Sequence, residues 1–384
     1  MNKIIYFTNA LDQKSFVDYL KKWKVSPNLS NQNFHNKLIK SLSLAFDVEV
    51  VSVRAINSNF ENSKLSKDVV QEGNIKWNYP EVSTSKVAKL LLLNSRVNKA
   101  LSLDNSDYVI FVDALNYSLV KAAYKLHKKK GYKIIGVCTD NPFNISFTSN
   151  SYRKNLMKYA SNLDGYVVLT EGINQIYNLH NKPYIQIDGV SEEVKLEEKN
   201  LVEGKYIYFG GSLMEEYGVY SLIDAFLRLK LKDVKLVICG HHLQREKLFN
   251  KIGGNESIIY LGPVSYLDNL ALERKAILSV NPRPINPKID DYSIPSKTLE
   301  CLSIKCLNVT VDNNILKKNY EDVIIWSKSS SPEDLETAIS KALSLSENEK
   351  EKIIESGYKK VMLRTSQKAI SEQLKLFLSK FFLN

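Results

Sequence analysis

Short apolar runs rich in Val, Ile and Tyr recur along the chain, separated by stretches whose apolar residues repeat at helical spacing. In the first half the runs are "KIIYFT" (3–8), "VEVVSV" (48–53), "YVIFVD" (108–113), "KIIGVCTD" (133–140), "GYVVLT" (165–170) and "PYIQIDG" (183–189). Between them helices are expected over 33–45, 85–101, 116–130 and 151–161. In 116–130, Leu119, Ala122, Ala123 and Leu126 repeat at i, i+3, i+4 and i+7, the stripe of an amphipathic helix. The strands are apolar on both faces, which predicts parallel sheets covered by helices on both sides.

A charged stretch without aromatic residues, 191–204, then interrupts and reads as an interdomain linker. The alternation resumes with strands at 205–211, 234–240, 257–264, 277–283, 305–311 and 323–327. Helices are expected at 218–230, 242–252, 265–275, 295–304 and 332–345. The last segment, 366–383, places Ile370, Leu374, Phe377 and Phe381 on one helical stripe, which needs a second surface to bury against. The reading is therefore two α/β units of similar size: residues 1–190 with the terminal helix 366–384, and residues 205–365.

Composition agrees with this picture. The 384 residues are 44% apolar, 10% aromatic and 25% charged, which is ordinary for globular protein. No apolar run reaches the roughly 18 residues of a membrane span. The longest, around Leu91 and at "LKLFLSKFFL", carry or abut lysines. The start, "MNKIIYFTNA", reads as a first buried strand and not as a secretory leader. Cys138, Cys239, Cys301 and Cys306 lack Cys-x-x-Cys spacing, so no zinc site or disulfide framework is expected, and a reduced, cytoplasmic setting fits.

Charge changes the picture more. Residues 1–190 hold 25 Lys and Arg against 15 Asp and Glu, whereas the remainder holds 28 against 27. A basic first half suits an acidic partner such as an anionic membrane surface, or it is simply a solvated lysine-rich face. No helix-turn-helix, zinc-finger or RNA-binding signature accompanies the charge, so nucleic acid is not the expected partner.

Three features of the second half point to phosphate chemistry, because ligands of open α/β sheets bind at the carboxyl ends of strands near helix N-termini. Gly210 and Gly211 end the strand in "YFGGSLMEEYGVY"; they open the backbone to an anion, or merely make a tight turn. Gly240 ends another strand in "VICGHH", where adjacent His241 and His242 diverge too far to share a metal. Third, "VNPRPINPKIDDYSIPSKTLECLS" reads as strand end, Pro-rich loop and helix start near Pro295. There Ser296, Lys297 and the free first-turn amides form an anion site, Arg283 adds donors, and Glu300 one turn on can accept ribose hydroxyls. Alternatively, Lys297 and Glu300 are a surface pair.

These residues resemble GT-B glycosyltransferases, in particular the retaining, family-4-type enzymes of bacterial polysaccharide assembly. The similarity rests most closely on "SIPSKTLECLS" and covers the second half, with a weaker likeness in the first. The resemblance implies two Rossmann-like doubly wound domains facing a cleft, with the C-terminal helix crossing back to the first. It further implies a nucleotide-sugar donor, UDP-linked, in the second domain and a saccharide or lipid-linked acceptor in the first. Where many members carry Arg and Lys in the glycine-turn segment this chain has Ser212 and Tyr217, and where many carry Glu-seven-Glu it has Tyr292 before Glu300. Arg283 and Lys297 are the expected phosphate-binding substitutes, with Thr298 in the same donor-facing turn.

On the acceptor side Asn31, Gln32 and Asn33 are expected to reach sugar hydroxyls, although the same residues could simply start a helix. Asp140 and Glu171 stand at strand carboxyl ends, Asp140 as the residue that orients the acceptor or steadies positive charge. The expected reaction is sugar transfer with retention through an oxocarbenium-like transition state, the diphosphate charge held by Arg283 and Lys297 without a metal or other cofactor. Two rivals remain open at this level: a UDP-sugar epimerase of the same fold, and a catalytically inactive partner of another transferase.

Overall fold

The computed structural model describes residues 3–22, 29–56, 60–61, 64–84, 101, 106–145, 148–194, 196, 200–241 and 245–382. Residues 85–100 of the expected helix 85–101, His242 and part of the 191–204 stretch lie outside these residues. The chain divides into two compact units. The first is Met1–Glu192 with Asp291–Ser293 and Thr365–Asn384; the second is Glu193–Asp290 with Ile294–Arg364.

The first unit is built on β1 (Lys3–Thr8), β2 (Asp47–Ser52), β3 (Lys64–Leu65), β4 (Asp68–Glu72), β5 (Ile75–Tyr79), β6 (Val82–Ser83), β7 (Tyr108–Asp113), β8 (Lys133–Cys138), β9 (Gly165–Val168) and β10 (Tyr184–Gln186). Eight of these form one sheet in the order β10-β9-β8-β7-β1-β2-β5-β4, while β3 and β6 make a separate ribbon. Strands β1, β2, β5 and β7 to β10 pair in parallel. As expected for a sheet covered on both faces, every residue of β7 is buried. The exception is β4, which pairs antiparallel to β5 at the edge. The alternation does not announce it because most of its side chains are exposed. Gly73, at φ +60°, makes the turn that joins the two.

Its helices are α1 (Gln13–Leu20), α2 (Leu29–Ser43), α3 (Tyr117–Lys130), α4 (Asn150–Ala160) and α5 (Glu171–Tyr177). The ends of α3 show why it forms where it does. Asn116 accepts from the amides of Ser118 and Leu119, and Gly131, at φ +76°, ends the helix with its N–H on the His127 carbonyl. Leu119, Ala122, Ala123 and Leu126 are buried, as the periodicity requires.

The second unit has β11 (Lys205–Gly210), β12 (Val234–Cys239), β13 (Ile258–Gly262), β14 (Leu278–Asn281), β15 (Asn308–Val311) and β16 (Ile325–Ser327), all parallel, in the order β13-β12-β11-β14-β15-β16. Around them lie α6 (Val219–Leu229), α7 (Arg245–Ile252), α8 (Tyr266–Lys275), α9 (Pro287–Asp290), α10 (Ser296–Ser303), α11 (Asn314–Tyr320), α12 (Pro332–Ser344) and α13 (Glu347–Thr365). Helices α9, α11 and α13 are additions to those expected for this unit; α9 falls in the expected Pro-rich loop, and α13 is long but mostly polar, so its apolar stripe is faint. Finally α14 (Gln367–Phe382) rejoins the first unit. Ile370, Leu374, Phe377 and Leu378 enter that unit's core, and Phe381 packs at its edge. A Cβ on Gly165 would come within 2.7 Å of the Phe381 ring, so β9 stays bare where the helix crosses it.

The stripe thus has its surface, and the strength of that packing can be measured. Phe377→Ala is expected to lower unfolding free energy by about 3–5 kcal/mol in urea denaturation. Leu376→Ala, one residue away but 73% exposed, should stay within about 0.5 kcal/mol.

Candidate active site

In the second unit the chain runs outward from β11 through β12 to β13, then returns to the other side of β11 with β14. The topological switch point therefore lies between β11 and β14, at whose carboxyl ends a crevice opens in sheets of this kind. Three glycines make that edge. Gly240, at φ +138°, lies so close to the turn after β11 that a Cβ there would sit 1.6 Å from the Gly211 carbonyl oxygen. Gly218, at φ +80°, leaves no room either: its Cβ would meet the Pro282 carbonyl at 2.0 Å. Gly211 donates its N–H to the Cys239 carbonyl at 2.9 Å, and Gly240 donates to Gly262 at 2.9 Å.

Lys297 reaches into this edge. Its Cε and Nζ lie 2.8 and 3.1 Å from where a Cβ on Gly211 would stand. Lys297 belongs to the first turn of α10, which Pro295 precedes as N-cap with no side-chain capping bond. The Thr298 amide donates to the Pro295 carbonyl at 3.1 Å, while those of Ser296 and Lys297 receive no side-chain cap and have the helix dipole behind them. Ser296 and Lys297 are exposed, and Glu300 is half-buried, its carboxylate accepting from the Tyr266 hydroxyl at 3.3 Å.

Beneath Lys297 lies a carboxyl group absent from the sequence-based expectations. Glu273 of α8 is buried and accepts a 2.6 Å hydrogen bond from the Ser279 hydroxyl. Burial pushes its pKa up to about 7, with Ser279 and the charge of Lys297 pulling it down and Glu300 pushing it further up. The neighbouring Cys239 thiol is pushed up to about 11, again by burial, with the Tyr208 hydroxyl and Lys297 opposing.

Several expected donor residues are used otherwise. Arg283 is half-buried with its guanidinium 3.7 Å from Asp290, in a crevice also lined by Asn281, Pro295, Thr310 and Asn313. Thr298 is fully buried; its hydroxyl shares hydrogen bonds with Asn281 and Thr310 and ties α10 to β14 and β15, so it is not donor-facing. Tyr292 belongs to the first unit, its ring against Gly172 of α5, where a Cβ would come within 3.1 Å of it. Gly210 turns its Cα toward the Asn269 side chain and the Tyr208 hydroxyl, which hydrogen-bond each other at 2.8 Å. Ser212 is half-buried, and Tyr217 is exposed in the short turn before α6.

The first sheet has its own switch point, between β1 and β7. Asp113, which ends β7, is 2% exposed there. Its carboxylate accepts from Asn31 at 3.1 Å and from the Leu115 amide at 3.0 Å. His35 Nε2 lies 3.6 Å away, and His35 Nδ1 is 2.6 Å from the Tyr6 hydroxyl. Burial lowers the His35 pKa, with the Asp113 charge opposing, and raises that of Tyr6. Neutral imidazole and protonated phenol follow: Tyr6 donates to Nδ1, and the Nε2 proton faces Asp113. Asp113 and His35 escaped sequence reasoning, although a lone acid closing the apolar run "YVIFVD" was a visible signal.

Of the expected acceptor residues, Asn31 joins this cluster and Asn33 is half-buried on the same helix. Gln32 does not take that role: it is buried, both ends of its amide bonded to the Leu11 backbone at 2.8 Å, and it holds the loop after β1. Asp140 is exposed beyond β8, its carboxylate accepting from the Asn141 amide at 2.8 Å. Glu171, in the first turn of α5, accepts from Asn174 and Tyr184.

Residues 191–360 match the family Glycosyl transferases group 1. No curated protein sequence matches the chain. Among solved structures, the sucrose-phosphate synthase of Thermosynechococcus elongatus is similar over 99% of both chains, with a TM-score of 0.69 and 11% identity. A trehalose-6-phosphate structure from E. coli bound with UDP-2-fluoro glucose is similar over 99% of both chains, with a TM-score of 0.66 and 13% identity. An alpha,alpha-trehalose-phosphate synthase (UDP-forming) from Burkholderia xenovorans, in complex with glucose-6-phosphate, gives a TM-score of 0.62 at 10% identity over 98% of this chain and 100% of that one. The fold is GT-B. The glycine edge, Lys297 and α10 all fall within the matched group 1 region.

Two outcomes test this geometry. Gly240→Ala should cost about 3 kcal/mol or more, read as a lower urea midpoint at unchanged slope, because carbonyl and Cβ cannot share one position. For Glu273, the folded pKa of about 7 lies above the ordinary 4.5. Between those values only the folded state holds the proton, so its contribution to stability is full below pH 4.5 and declines as pH rises through 7. Relative to wild type, Glu273→Gln should therefore gain about 3 kcal/mol between pH 5 and pH 8, measured as the change in the difference between their unfolding free energies.

Proposed function

We propose that the chain is a retaining glycosyltransferase that moves a hexose-type sugar from a UDP-sugar to a saccharide or lipid-linked saccharide. The setting proposed is cell-surface polysaccharide synthesis at the cytoplasmic face of the membrane. One observation carries the reading: Lys297 stands over Gly211 at the switch point of the second sheet, beside a helix start with no side-chain cap. That arrangement offers a cation, bare backbone and a positive dipole end to a pyrophosphate. The group 1 match and the GT-B fold support it.

As the bond to the anomeric carbon breaks, negative charge grows on the leaving diphosphate and positive charge on the sugar ring. Donors already in place stabilise the first without reorganising. Lys297 and the amides of Ser296 and Lys297 serve as those donors, and the scheme uses no metal. Arg283 adds charge only once it turns from Asp290. Glu300 accepts the ribose hydroxyls. In the first unit, Asp140 orients the acceptor hydroxyl, with Asn31, Asn33 and Glu171 available to the acceptor sugar. UDP is the nucleotide proposed because two similar proteins carry it in their descriptions.

A thermal-shift screen across UDP-, GDP-, ADP- and dTDP-sugars should show stabilisation by a UDP-sugar, since a native-state ligand raises the melting point. Lys297→Ala should abolish that shift and lower transfer by about 100-fold or more, and Glu300→Ala should weaken donor binding with the fold intact. Near-wild-type transfer in both variants refutes the site. Absence of binding by every nucleotide sugar favours a catalytically inactive partner.

A further inference from the structure

The positive charge of the first unit is concentrated on two neighbouring helices. Lys125, Lys128, Lys129 and Lys130 on α3, and Lys154 and Lys158 on α4, are all exposed, and neither helix contains an Asp or Glu. Among the described residues no carboxylate pairs with any of these six. Asp164, at this end, is taken by His127 and Lys133, each at 3.5 Å. In the second unit Lys251, Lys305 and Lys317 each meet a carboxylate at 2.6 Å. What sets α3 and α4 apart is density: six exposed lysines on two neighbouring helices that carry no acid.

Topology decides where that face points. Strands β7, β8 and β9 are parallel, so α3 and α4 both run back against them. Lys128, Lys129 and Lys130 close α3, and Lys158 lies in the last turn of α4. They therefore gather at the amino edge of the sheet, opposite the carboxyl edge that holds Asp113 and Asp140. A surface bound here leaves the ligand edge free.

Half-buried tyrosines underlie the lysines. Tyr124 meets Tyr159 edge-on at 5.4 Å, and the Lys128 ammonium sits 5.4 Å from the Tyr124 ring. Rings packed in this way are not exposed platforms for stacking bases, which is how single-stranded nucleic acid is held. Exposed lysines clustered beside half-buried rings suit the interface of an anionic bilayer.

We propose that the exposed face of α3 and α4 docks the protein on an anionic lipid bilayer. This rests on the preceding reading only for its purpose, which is to meet a lipid-linked acceptor. The full chain is sedimented with vesicles of equal parts phosphatidylglycerol and phosphatidylcholine, and with phosphatidylcholine alone. Binding should require phosphatidylglycerol and weaken about tenfold or more between 0.1 and 0.5 M salt. Reversing Lys128, Lys129, Lys154 and Lys158 to Glu should weaken it by at least about tenfold, whereas reversing exposed Lys232, Lys247, Lys328 and Lys341 of the second unit should not. Circular dichroism and the UDP-sugar thermal shift of each variant report separately on fold and donor binding. Equal binding to neutral vesicles overturns the proposal, as do equal losses in both variants or preference for a dT oligonucleotide over the anionic vesicles. If vesicle binding holds and no UDP-sugar binds, the transferase reading fails and the docking face stands.

Discussion

The carbonyl oxygen of Gly211 occupies the place where any side chain on Gly240 would begin, and the second unit's edge depends on that contact. It brings the turn after β11 against the end of β12, with Gly218 holding the other side of that turn against Pro282. What results is a strip of backbone low enough for the Lys297 side chain to lie across it. A larger residue at either glycine would lift the strip and deny an anion the approach that bare backbone permits. The chemistry proposed for the site therefore begins with the absence of atoms.

Electrostatics at that edge are layered. Lys297 and the α10 amides present positive charge outward, while Glu273 lies buried behind them with its proton poised near neutrality. A buried carboxyl with one hydroxyl partner is costly to ionise, and the nearby ammonium reduces that cost. In the first unit the balance is struck differently. Asp113 is held by Asn31 and a backbone amide, beside a neutral histidine whose tautomer Tyr6 selects. Both clusters stand at switch points, where neighbouring connections leave in opposite directions and side chains from several strands can meet.

Sequence periodicity and structure agree where burial is one-sided or complete. The stripe of α3 and the stripe of α14 are both present as the spacing requires, because a helix with one apolar face has one way to bury it. They diverge where the pattern is weak: β4 lies at an exposed edge, and α13 is polar over most of its surface. Among the candidate residues, the place of Lys297 in the first turn of α10 was legible from Pro295. Gln32 and Thr298 were not, because a polar side chain in a helix reads alike whether it faces solvent or satisfies the interior.

The sequence by itself determined the α/β alternation, the basic first half and the placing of Gly211, Gly240, Pro295 and Lys297 at strand ends and a helix start. These are local properties: period, charge and backbone freedom are written in consecutive residues. The tertiary structure alone decided that Tyr292 packs on Gly172, and that Glu273, Asp113 and His35 are buried near the switch points of the two sheets. Those outcomes depend on which strands become neighbours, and neighbours in a parallel sheet are brought together by crossovers that span tens of residues. No short window of sequence contains both partners of such a contact.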